Sequence, residues 1–311
     1  MPVCRNLILA LSIYISGCLL SGCTLLDDRR TTTPIHIDFT AKPRTGGTDT
    51  LPPASLKVAI SSMISPKETF TYYEALMRFV SARLGVPVEM KQRKTYQEVN
   101  DMLVDGQIEL AFICSGAYVE SPLNSRVEIL AVPVVHGEPT YRAYVIVHEN
   151  YSAQTFADLK GVSFAFTDPL SNTGYTYAVK RVKQLGSSVE TFFSKTLFTH
   201  AHDYSIQLVV RGIVDAATVD GLIFEYLMQF TPDKVRGIRV LEKSEPFGIP
   251  PVVVPRSLPD STKERLRQIF FSLDEDATGK GILRKLMIDR FAPGRDADYN
   301  SVRTIKRFTG K

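Results

Sequence analysis

Residues 167–175 have the sequence Thr-Asp-Pro-Leu-Ser-Asn-Thr-Gly-Tyr. They follow a run typical of a buried strand, Gly161 to Phe166, and precede a run typical of a helix, Thr176 to Val182. Ser, Asn and Thr suit helix N-termini, because their oxygens accept hydrogen bonds from unpaired backbone N–H groups. Such a turn also offers free N–H donors and the positive end of a helix dipole. The stretch therefore predicts either an ordinary capped helix or a binding site for an oxyanion such as phosphate.

Short β-branched runs alternate with helical periodicity on both sides of this turn, a pattern typical of α/β architecture. A length of 311 residues exceeds a typical single domain and allows two lobes. We expect strands at 56–61, 86–92, 110–113, 127–133, 141–147, 161–166, 216–218 and 237–241. We expect helices at 71–84, 96–104, 155–159, 173–185, 205–211, 222–230, 259–273 and 279–287.

The composition is that of a soluble globular protein, with 44% hydrophobic and 23% charged residues. A net charge of +4 is small for this length, and no basic cluster accompanies it. We therefore expect no nucleic-acid partner. The chain contains no Trp, which excludes a Trp-based platform for stacking sugars.

The N-terminus has the features of a targeting segment. Arg5 supplies a positive charge, and the run from Leu7 to Leu20 is apolar but short for a membrane span. It ends in Leu20-Ser21-Gly22-Cys23, which resembles the lipobox of bacterial lipoproteins. We therefore expect a signal peptide at 1–22 and lipidation of Cys23.

Two alternatives remain at this end of the chain. A weaker lipobox match ends at Cys18, and the apolar run also fits a plain signal anchor. The following segment, 23–54, is rich in Thr, Pro, Gly and charged residues and predicts a flexible tether. Only Cys114 then remains in the folded part, so we expect no internal disulfide.

Three segments of the chain resemble one protein family. Asp168-Pro169-x-Ser171-x-Thr173-Gly174 is similar to the Asp-Pro-x-Ser-Thr-Ser-Gly loop of phosphonate-binding periplasmic proteins. These are the substrate-binding components of phosphate, phosphite and phosphonate ABC transporters. The segments 202–220, with its His-Asp-x-Ser-Ile and Val-Asp-Ala-Ala-x-Val-Asp runs, and 109–119 are similar to two further parts of the family. All three occur in the family's order, which is more specific than any one motif.

The resemblance implies an α/β, type II periplasmic-binding-protein fold. Two α/β lobes are joined by a two-stranded hinge, and the ligand cleft lies between them. We expect the first lobe at 55–145 plus 247–311 and the second at 146–246, with crossings near 145–148 and 243–250. Ligands in such sheets lie beyond the carboxyl ends of the strands.

The resemblance also implies which side chains bind the ligand. They come from both lobes and carry hydroxyl, amide, imidazole or carboxyl groups: Ser171, Asn172, Thr173, His202, Tyr96, Tyr141, Ser115 and Asp220. Asn172 is a departure, because the family usually has Thr there. An amide still donates hydrogen bonds, but the geometry of the site can differ.

Several of these positions have ordinary structural alternatives. His202 follows His200 by two residues, but no Cys or His cluster completes a zinc site, so we expect no metal and keep a structural His202 as the alternative. Tyr96 and Tyr141 also suit half-buried packing. Asp220 can orient His202, face the ligand or cap the next helix.

The positions that would bind a cationic tail are not acidic here. In family members that hold an aminoethyl group, acidic residues meet the amine, and the matching positions are Leu222 and Pro250. An unpaired charge in a closed cleft is costly. Phosphite, methylphosphonate or phosphate therefore fits better than 2-aminoethylphosphonate, and Phe247 and Ile249 suggest an apolar wall.

The favoured function is a lipid-anchored binding component of an ABC importer that captures a small oxyanion by lobe closure. It needs no cofactor, acts as a monomer in the periplasm or at the cell surface, and delivers its ligand to an inner-membrane permease. A sensory binding protein that signals to a membrane partner needs the same cleft. A Cys-dependent enzyme is less favoured, because Cys114 has no base that the sequence places within reach.

Overall fold

The computed structural model describes residues 55–310, so the expected signal peptide, tether and lipidation at Cys23 or Cys18 lie outside the described residues. Its strands are β1 (Leu56–Ile60), β2 (Val88–Lys91), β3 (Leu110–Phe112), β4 (Val127–Val134), β5 (Thr140–Tyr141), β6 (Ala143–His148), β7 (Ser163–Phe166), β8 (Lys195–Phe198), β9 (Ala216–Asp220), β10 (Ile238–Lys243), β11 (Phe247–Gly248), β12 (Val252–Pro255) and β13 (Arg290–Ala292).

The helices of the same part are α1 (Pro66–Leu84), α2 (Tyr96–Val104), α3 (Ser115–Tyr118), α4 (Leu123–Arg126), α5 (Tyr177–Gln184), α6 (Val189–Phe192), α7 (His202–Val210), α8 (Gly221–Phe230), α9 (Asp260–Phe271), α10 (Ala277–Leu286) and α11 (Asn300–Thr309). A π-helical turn, Asn172–Thr176, precedes α5. Across residues 55–310, no helix has both the length and the apolar character needed to cross a bilayer.

The strands form two main sheets, each the centre of one α/β lobe. The first lobe contains a six-stranded sheet in the order β13-β4-β12-β3-β1-β2, and the second a five-stranded sheet in the order β10-β6-β9-β7-β8. β1 is parallel to β2 and β3, and β7 is parallel to β8 and β9. In each lobe the carboxyl ends of parallel neighbours therefore meet at one edge of the sheet.

A short antiparallel pair connects the lobes. Tyr141 of β5 pairs with Phe247 of β11, and the backbone N–H of Ile249 donates to the carbonyl of Pro139 at 3.1 Å. Beyond this pair, the Ser244 hydroxyl accepts a hydrogen bond from the backbone N–H of Ala143 at 2.8 Å. β6 and β10 both lie within the second sheet, so the crossing on the β6 side comes before residue 143 rather than at 145–148.

Local capping explains where several helices begin and end. At α2, Thr95 and Glu98 form a capping box, and the helix covers the predicted 96–104. α1 starts five residues before the predicted Thr71, because Pro66 is well suited to a first helical turn. It ends at Gly85, whose φ of 78° is left-handed.

Helices α1, α9 and α10 cover one face of the first sheet, while the last helix bridges the lobes. α1 packs against α9 and α10, both expected on the first lobe. α11 instead lies against α5 and the π-helical turn of the second lobe, and also against β11. Val302 and Ile305 of α11 are buried in the same apolar cluster as Ala178 and Val182 of α5.

Candidate ligand-binding site

The turn after β7 is built as a capped helix start. The Ser171 hydroxyl accepts a hydrogen bond from the backbone N–H of Gly174 at 2.9 Å, and the N–H of Thr167 donates to the carbonyl of Gly174 at 2.9 Å. A Cβ at Gly174 would lie 2.5 Å from the Thr167 hydroxyl and 2.9 Å from Cε1 of His202. Glycine is therefore required where the turn passes His202.

Ser115, Tyr141 and Asn172 meet across the two lobes. The Ser115 hydroxyl lies 2.5 Å from the Tyr141 hydroxyl, which also accepts a 3.5 Å hydrogen bond from Nδ2 of Asn172. All three side chains are buried. Burial raises the pKa of Tyr141 well above its ordinary value, so its hydroxyl keeps its proton. Ser115 and Asn172 each begin a helical turn after a strand, and Tyr141 lies on the connecting strand between them.

His202 is held as a neutral imidazole. Its Nδ1 lies 3.0 Å from the Thr167 hydroxyl and accepts a 3.0 Å hydrogen bond from the backbone N–H of Asp220. An Nδ1 that accepts leaves the ring proton on Nε2. Complete burial lowers the pKa of His202 to about 3. His202 is therefore a neutral donor through Nε2 at physiological pH.

Asp220 caps α8. Its Oδ1 accepts a hydrogen bond from the backbone N–H of Leu222 at 2.8 Å, and burial raises the pKa of its carboxyl to about 7. Of the three roles that the sequence left open, the cap is the one observed directly, while His202 contacts the backbone N–H rather than the carboxylate. Asp220 also raises the pKa of Tyr96 and Tyr141, after the larger effect of burial, so all three lie in one neighbourhood.

Tyr96 begins α2 and contacts the second lobe through its backbone. Its N–H donates to Oδ2 of Asp168 at 3.2 Å. Its side chain is completely buried, and its hydroxyl has no hydrogen-bond partner in the described chain. The carboxylate of Asp168 also accepts from the backbone N–H of Leu170 at 2.8 Å, so it fixes the turn at 167–175, called the anion loop below, against the first lobe.

Further contacts join the lobes beside these residues. The backbone N–H of His202 donates to the carbonyl of Met63 at 2.9 Å, and that of Ser65 donates to Oδ1 of Asp203 at 2.8 Å. Gly116 faces the anion loop so closely that a Cβ there would lie 2.8 Å from the backbone nitrogen of Asn172. The two lobes are therefore in direct contact around the predicted site residues.

Polar atoms without partners are concentrated here. Buried polar groups in proteins are almost always hydrogen-bonded. Within residues 55–310, seven buried side-chain polar atoms have no partner, and three belong to the π-helical turn: Oδ1 of Asn172, Oγ1 of Thr173 and Oγ1 of Thr176. Tyr96 and Ser61 of the first lobe contribute two more, both hydroxyls. Such groups are suited to hydrogen-bonding a polar guest.

The predicted site residues are thus joined by hydrogen bonds into separate groups and do not all contact one another. Ser115, Tyr141 and Asn172 form one group, and His202 and Asp220 form another. The Ser171 hydroxyl caps the helix start by accepting from the Gly174 N–H. The Thr173 carbonyl accepts a hydrogen bond from the Thr218 hydroxyl at 2.7 Å. All eight are buried, with no more than 3% of any residue exposed. Their ligand contacts stay a prediction.

Sequence reasoning missed Ser61 and Thr176, whose buried hydroxyls have no partner. Ser61 follows β1 as Ser115 follows β3 after a short loop, and β1 and β3 are parallel neighbours. That repeated pattern of a polar residue beyond a buried strand is the signal that would have found Ser61. Thr176 lies within the predicted helix pattern and gave no comparable signal.

Neither the metal nor the cysteine hypothesis gains support from the geometry. The described residues contain no group of three or more His, Cys, Asp or Glu side chains arranged to hold a metal ion. Oδ2 of Asp168 lies 3.6 Å from Nδ1 of His200, so these two side chains form a pair and not a metal-binding cluster. Cys114 is buried, and burial raises the pKa of its thiol, which disfavours the thiolate that a nucleophile requires.

Comparison with known proteins identifies relatives over most of the described residues. The family model described as the phosphonate ABC transporter periplasmic substrate-binding protein matches residues 58–299. The phosphate-import protein PhnD of Mycolicibacterium smegmatis is 23% identical over 258 residues, which cover 76% of this chain and 80% of the relative. The phosphonates-binding periplasmic protein of Escherichia coli is 21% identical over 259 residues, 82% of this chain and 76% of the relative.

Solved structures show the same fold. A binding protein component of an ABC phosphonate transporter from Pseudomonas aeruginosa is 24% identical, with a TM-score of 0.77 over 82% of this chain and 86% of the other. PhnD1 of Prochlorococcus marinus, solved with methylphosphonate, is 18% identical. Its TM-score is 0.75 over 84% of this chain and 100% of the other. The type II periplasmic-binding fold is therefore confirmed. With its family model matched over most of its length, the chain belongs to the periplasmic substrate-binding proteins of phosphonate ABC transporters.

Proposed function

We propose that this protein captures a small tetrahedral oxyanion, of the phosphate, phosphite or methylphosphonate class, between its lobes and delivers it to an ABC permease. The observation that carries the proposal is the pair of buried, unpartnered hydroxyls at the start of the helix after β7, on Thr173 and Thr176. Hydroxyl and amide hydrogens at a helix start are donors for an anion. The hydroxyl of Tyr96, from the opposite lobe, is likewise free to donate.

The electrostatics of the site are compatible with an anion. His202 donates without needing a charge, because its pKa of about 3 keeps it neutral. Burial raises the pKa of Asp220 to about 7, so a large fraction of its carboxyl is protonated at neutral pH. The repulsion between this carboxyl and a bound anion is weaker than that of a fully ionised aspartate.

A tailless anion is favoured over one with an aminoethyl group. Leu222 and Pro250 occupy the positions where family members hold an amine with acidic residues. Phe247 and Ile249 are both 1% exposed, and Phe247 pairs with Tyr141 in the connecting strands. Both residues are buried in the same apolar cluster as Tyr141. Two relatives support the ligand class by name, as a phosphate-import protein and as a complex with methylphosphonate.

The remaining parts of the proposal concern anchoring and movement. Lipidation at Cys23 would attach the protein to the membrane at the end of the 23–54 tether, with Cys18 as the alternative lipidation residue. Lobe closure about the β5–β11 connection would enclose the ligand, and the protein would act as a monomer in the periplasm or at the cell surface. The expected lobes, 55–145 plus 247–311 and 146–246, would keep these bounds except that all of β6 would belong to the second lobe.

Calorimetric titration of the purified full chain tests the ligand class. Phosphate, phosphite, methylphosphonate, 2-aminoethylphosphonate and sulfate are titrated separately at pH 7. We expect tight binding of at least one of the first three and binding of 2-aminoethylphosphonate weaker by tenfold or more, since its amine would be left unpaired. No heat from any phosphorus oxyanion would overturn the proposal, and tight 2-aminoethylphosphonate binding would overturn the assignment of Leu222 and Pro250.

A further inference from the structure

Ser61, the residue after β1, has a buried hydroxyl that makes no hydrogen bond within the described residues. Ser61 is completely buried, and its Oγ has no hydrogen-bond partner. A buried hydroxyl without a partner is unfavourable, because its desolvation is not compensated by a hydrogen bond. Its backbone, in contrast, is engaged, because the Ser61 N–H donates to the carbonyl of Phe112 at 2.9 Å and its carbonyl accepts from Met63 at 2.6 Å. The backbone of Ser61 is thus held in place, whereas its hydroxyl makes no hydrogen bond.

The surroundings of Ser61 place it among the predicted site residues. β3 pairs with β1 in parallel and then continues to Ser115 at the start of α3. The neighbouring Ser62 hydroxyl donates to the carbonyl of Lys94 at 2.8 Å, two residues before Tyr96. Ser61 therefore lies where the chain segments that carry Ser115 and Tyr96 converge.

The second lobe reaches the same segment. Met63, two residues after Ser61, accepts a hydrogen bond from the backbone N–H of His202 at 2.9 Å and packs in one apolar cluster with Tyr96 and Cys114. The segment that contains Ser61 is thus connected to both lobes of the site. Its position also matches the general rule that ligands lie beyond the carboxyl ends of parallel strands.

We infer that Ser61 is a ligand-binding residue of the first lobe, which donates its hydroxyl hydrogen to an oxygen of the bound anion. The inference rests on the proposed function, because it requires an oxyanion between the lobes. The Tyr96 hydroxyl, also buried and unpartnered, supplies a companion donor from the same lobe. The first lobe then contributes hydroxyl donors opposite the Asn172–Thr176 turn, so the anion is held from both sides.

The substitution Ser61→Ala separates a ligand-binding role from a structural one. The wild-type full chain is first titrated with inorganic phosphate and methylphosphonate, and the tighter ligand is the probe. We expect Ser61→Ala to weaken its binding by about tenfold or more, as for a lost hydrogen bond to a charged group. The Tm of the ligand-free variant should equal or exceed that of wild type, because the substitution removes an unsatisfied buried polar group.

Ser81→Ala is the matched control. The Ser81 hydroxyl donates to the carbonyl of Val86 at 2.8 Å at the far end of α1, so its loss should lower the Tm and leave the affinity unchanged. Equal affinity in Ser61→Ala and wild type would overturn the inference. So would a lower ligand-free Tm in Ser61→Ala, because it would show a structural hydroxyl. Absence of binding by wild type itself would instead contradict the proposed function.

Discussion

The backbone N–H of Asp220 donates a 3.0 Å hydrogen bond to Nδ1 of His202, and this contact fixes the tautomer of the ring. Nδ1 is the acceptor, so Nε2 carries the proton and is the nitrogen able to donate to a ligand. The contact joins the carboxyl end of β9 to the first residue of α7. Because the donor is a backbone group, this arrangement does not depend on the charge of the Asp220 side chain.

We predict that His202 stays neutral, as the Nε2–H tautomer, from pH 5 to pH 8. Burial lowers its pKa to about 3, whereas an unfolded histidine titrates near 6.5. The unfolded state therefore binds more protons between about pH 3 and 6.5, and the contribution of His202 to stability rises with pH across that window. Nitrogen-15 NMR of labelled imidazoles, assigned with His202→Gln, measures both the tautomer and the titration. A His202 signal that titrates between pH 6 and 7 would contradict the prediction.

We predict that Asp220→Asn stabilises the protein above pH 7 but not near pH 4. Burial raises the carboxyl pKa from 3.8 to about 7, so the folded state holds the extra proton between these values and stability falls as pH rises through them. Asparagine keeps an oxygen for the Leu222 N–H and has no charge to desolvate. Denaturant unfolding at pH 8 should show a gain of about 1–3 kcal/mol.

The comparison between the two pH values is the internal control for Asp220→Asn. At pH 4 the wild-type carboxyl is protonated in the folded state and about half protonated in the unfolded state, so the difference between the proteins should nearly vanish. A gain or loss of equal size at both pH values would show that packing or capping, and not the charge, distinguishes the two side chains.

We predict that Thr173→Val weakens oxyanion binding by about tenfold without lowering the ligand-free Tm. The Thr173 hydroxyl is buried and has no partner, and valine has nearly the same shape. Loss of a hydrogen bond to a charged ligand accounts for the expected change in affinity. Thr262→Val on α9, away from the anion loop, is the matched control and should leave the affinity unchanged. Unaltered binding by Thr173→Val would remove this hydroxyl from the site.

We predict that Gly116→Ala prevents the lobes from meeting. A Cβ at Gly116 would overlap the carbonyl oxygen of Leu170 and lie 2.8 Å from the nitrogen of Asn172, and both are backbone atoms of the other lobe. Ligand affinity should fall about a hundredfold, since the donors of the two lobes could no longer enclose one anion. Calorimetry measures the affinity, and small-angle X-ray scattering measures the radius of gyration with and without ligand.

Gly281→Ala is the control for Gly116→Ala, because nothing lies within 4 Å of the position of its added Cβ. It should bind like wild type and, within α10, gain slightly in stability. If Gly116→Ala bound the ligand as tightly as Gly281→Ala, the lobe contact at Asn172 would not be part of the bound state.

Elements with strong local signals were predictable from the sequence. α2 spans the predicted residues because the Thr95–Glu98 capping box fixes its start within four residues. The turn at 167–175 was placed correctly, since its strand, cap residues and helix are contiguous. β8 was missed because it is an edge strand whose side chains are mostly exposed, and it lacks the buried alternation that predicts a strand.

Other features were missed although a signal existed. α11 buries Val302 and Ile305, spaced as one face of a helix requires, yet its packing against α5 of the second lobe depends on the path of the whole chain. The connection between lobes also lies earlier than expected on the β6 side. β6 has the same β-branched pattern whether it crosses between lobes or joins a sheet, and only its pairing with β9 and β10 decides this.

The sequence by itself determined the fold class, the family and the helix start that offers donors to an anion, because these depend on contiguous residues and ordered motifs. The tertiary structure alone decided which polar atoms remain unpaired. Ser61 and Ser62 are adjacent serines, but the Ser62 hydroxyl donates to Lys94 whereas that of Ser61 has no partner. Hydrogen-bond satisfaction depends on groups distant in sequence, and for this reason only the folded chain shows which of the two serine hydroxyls is unpaired.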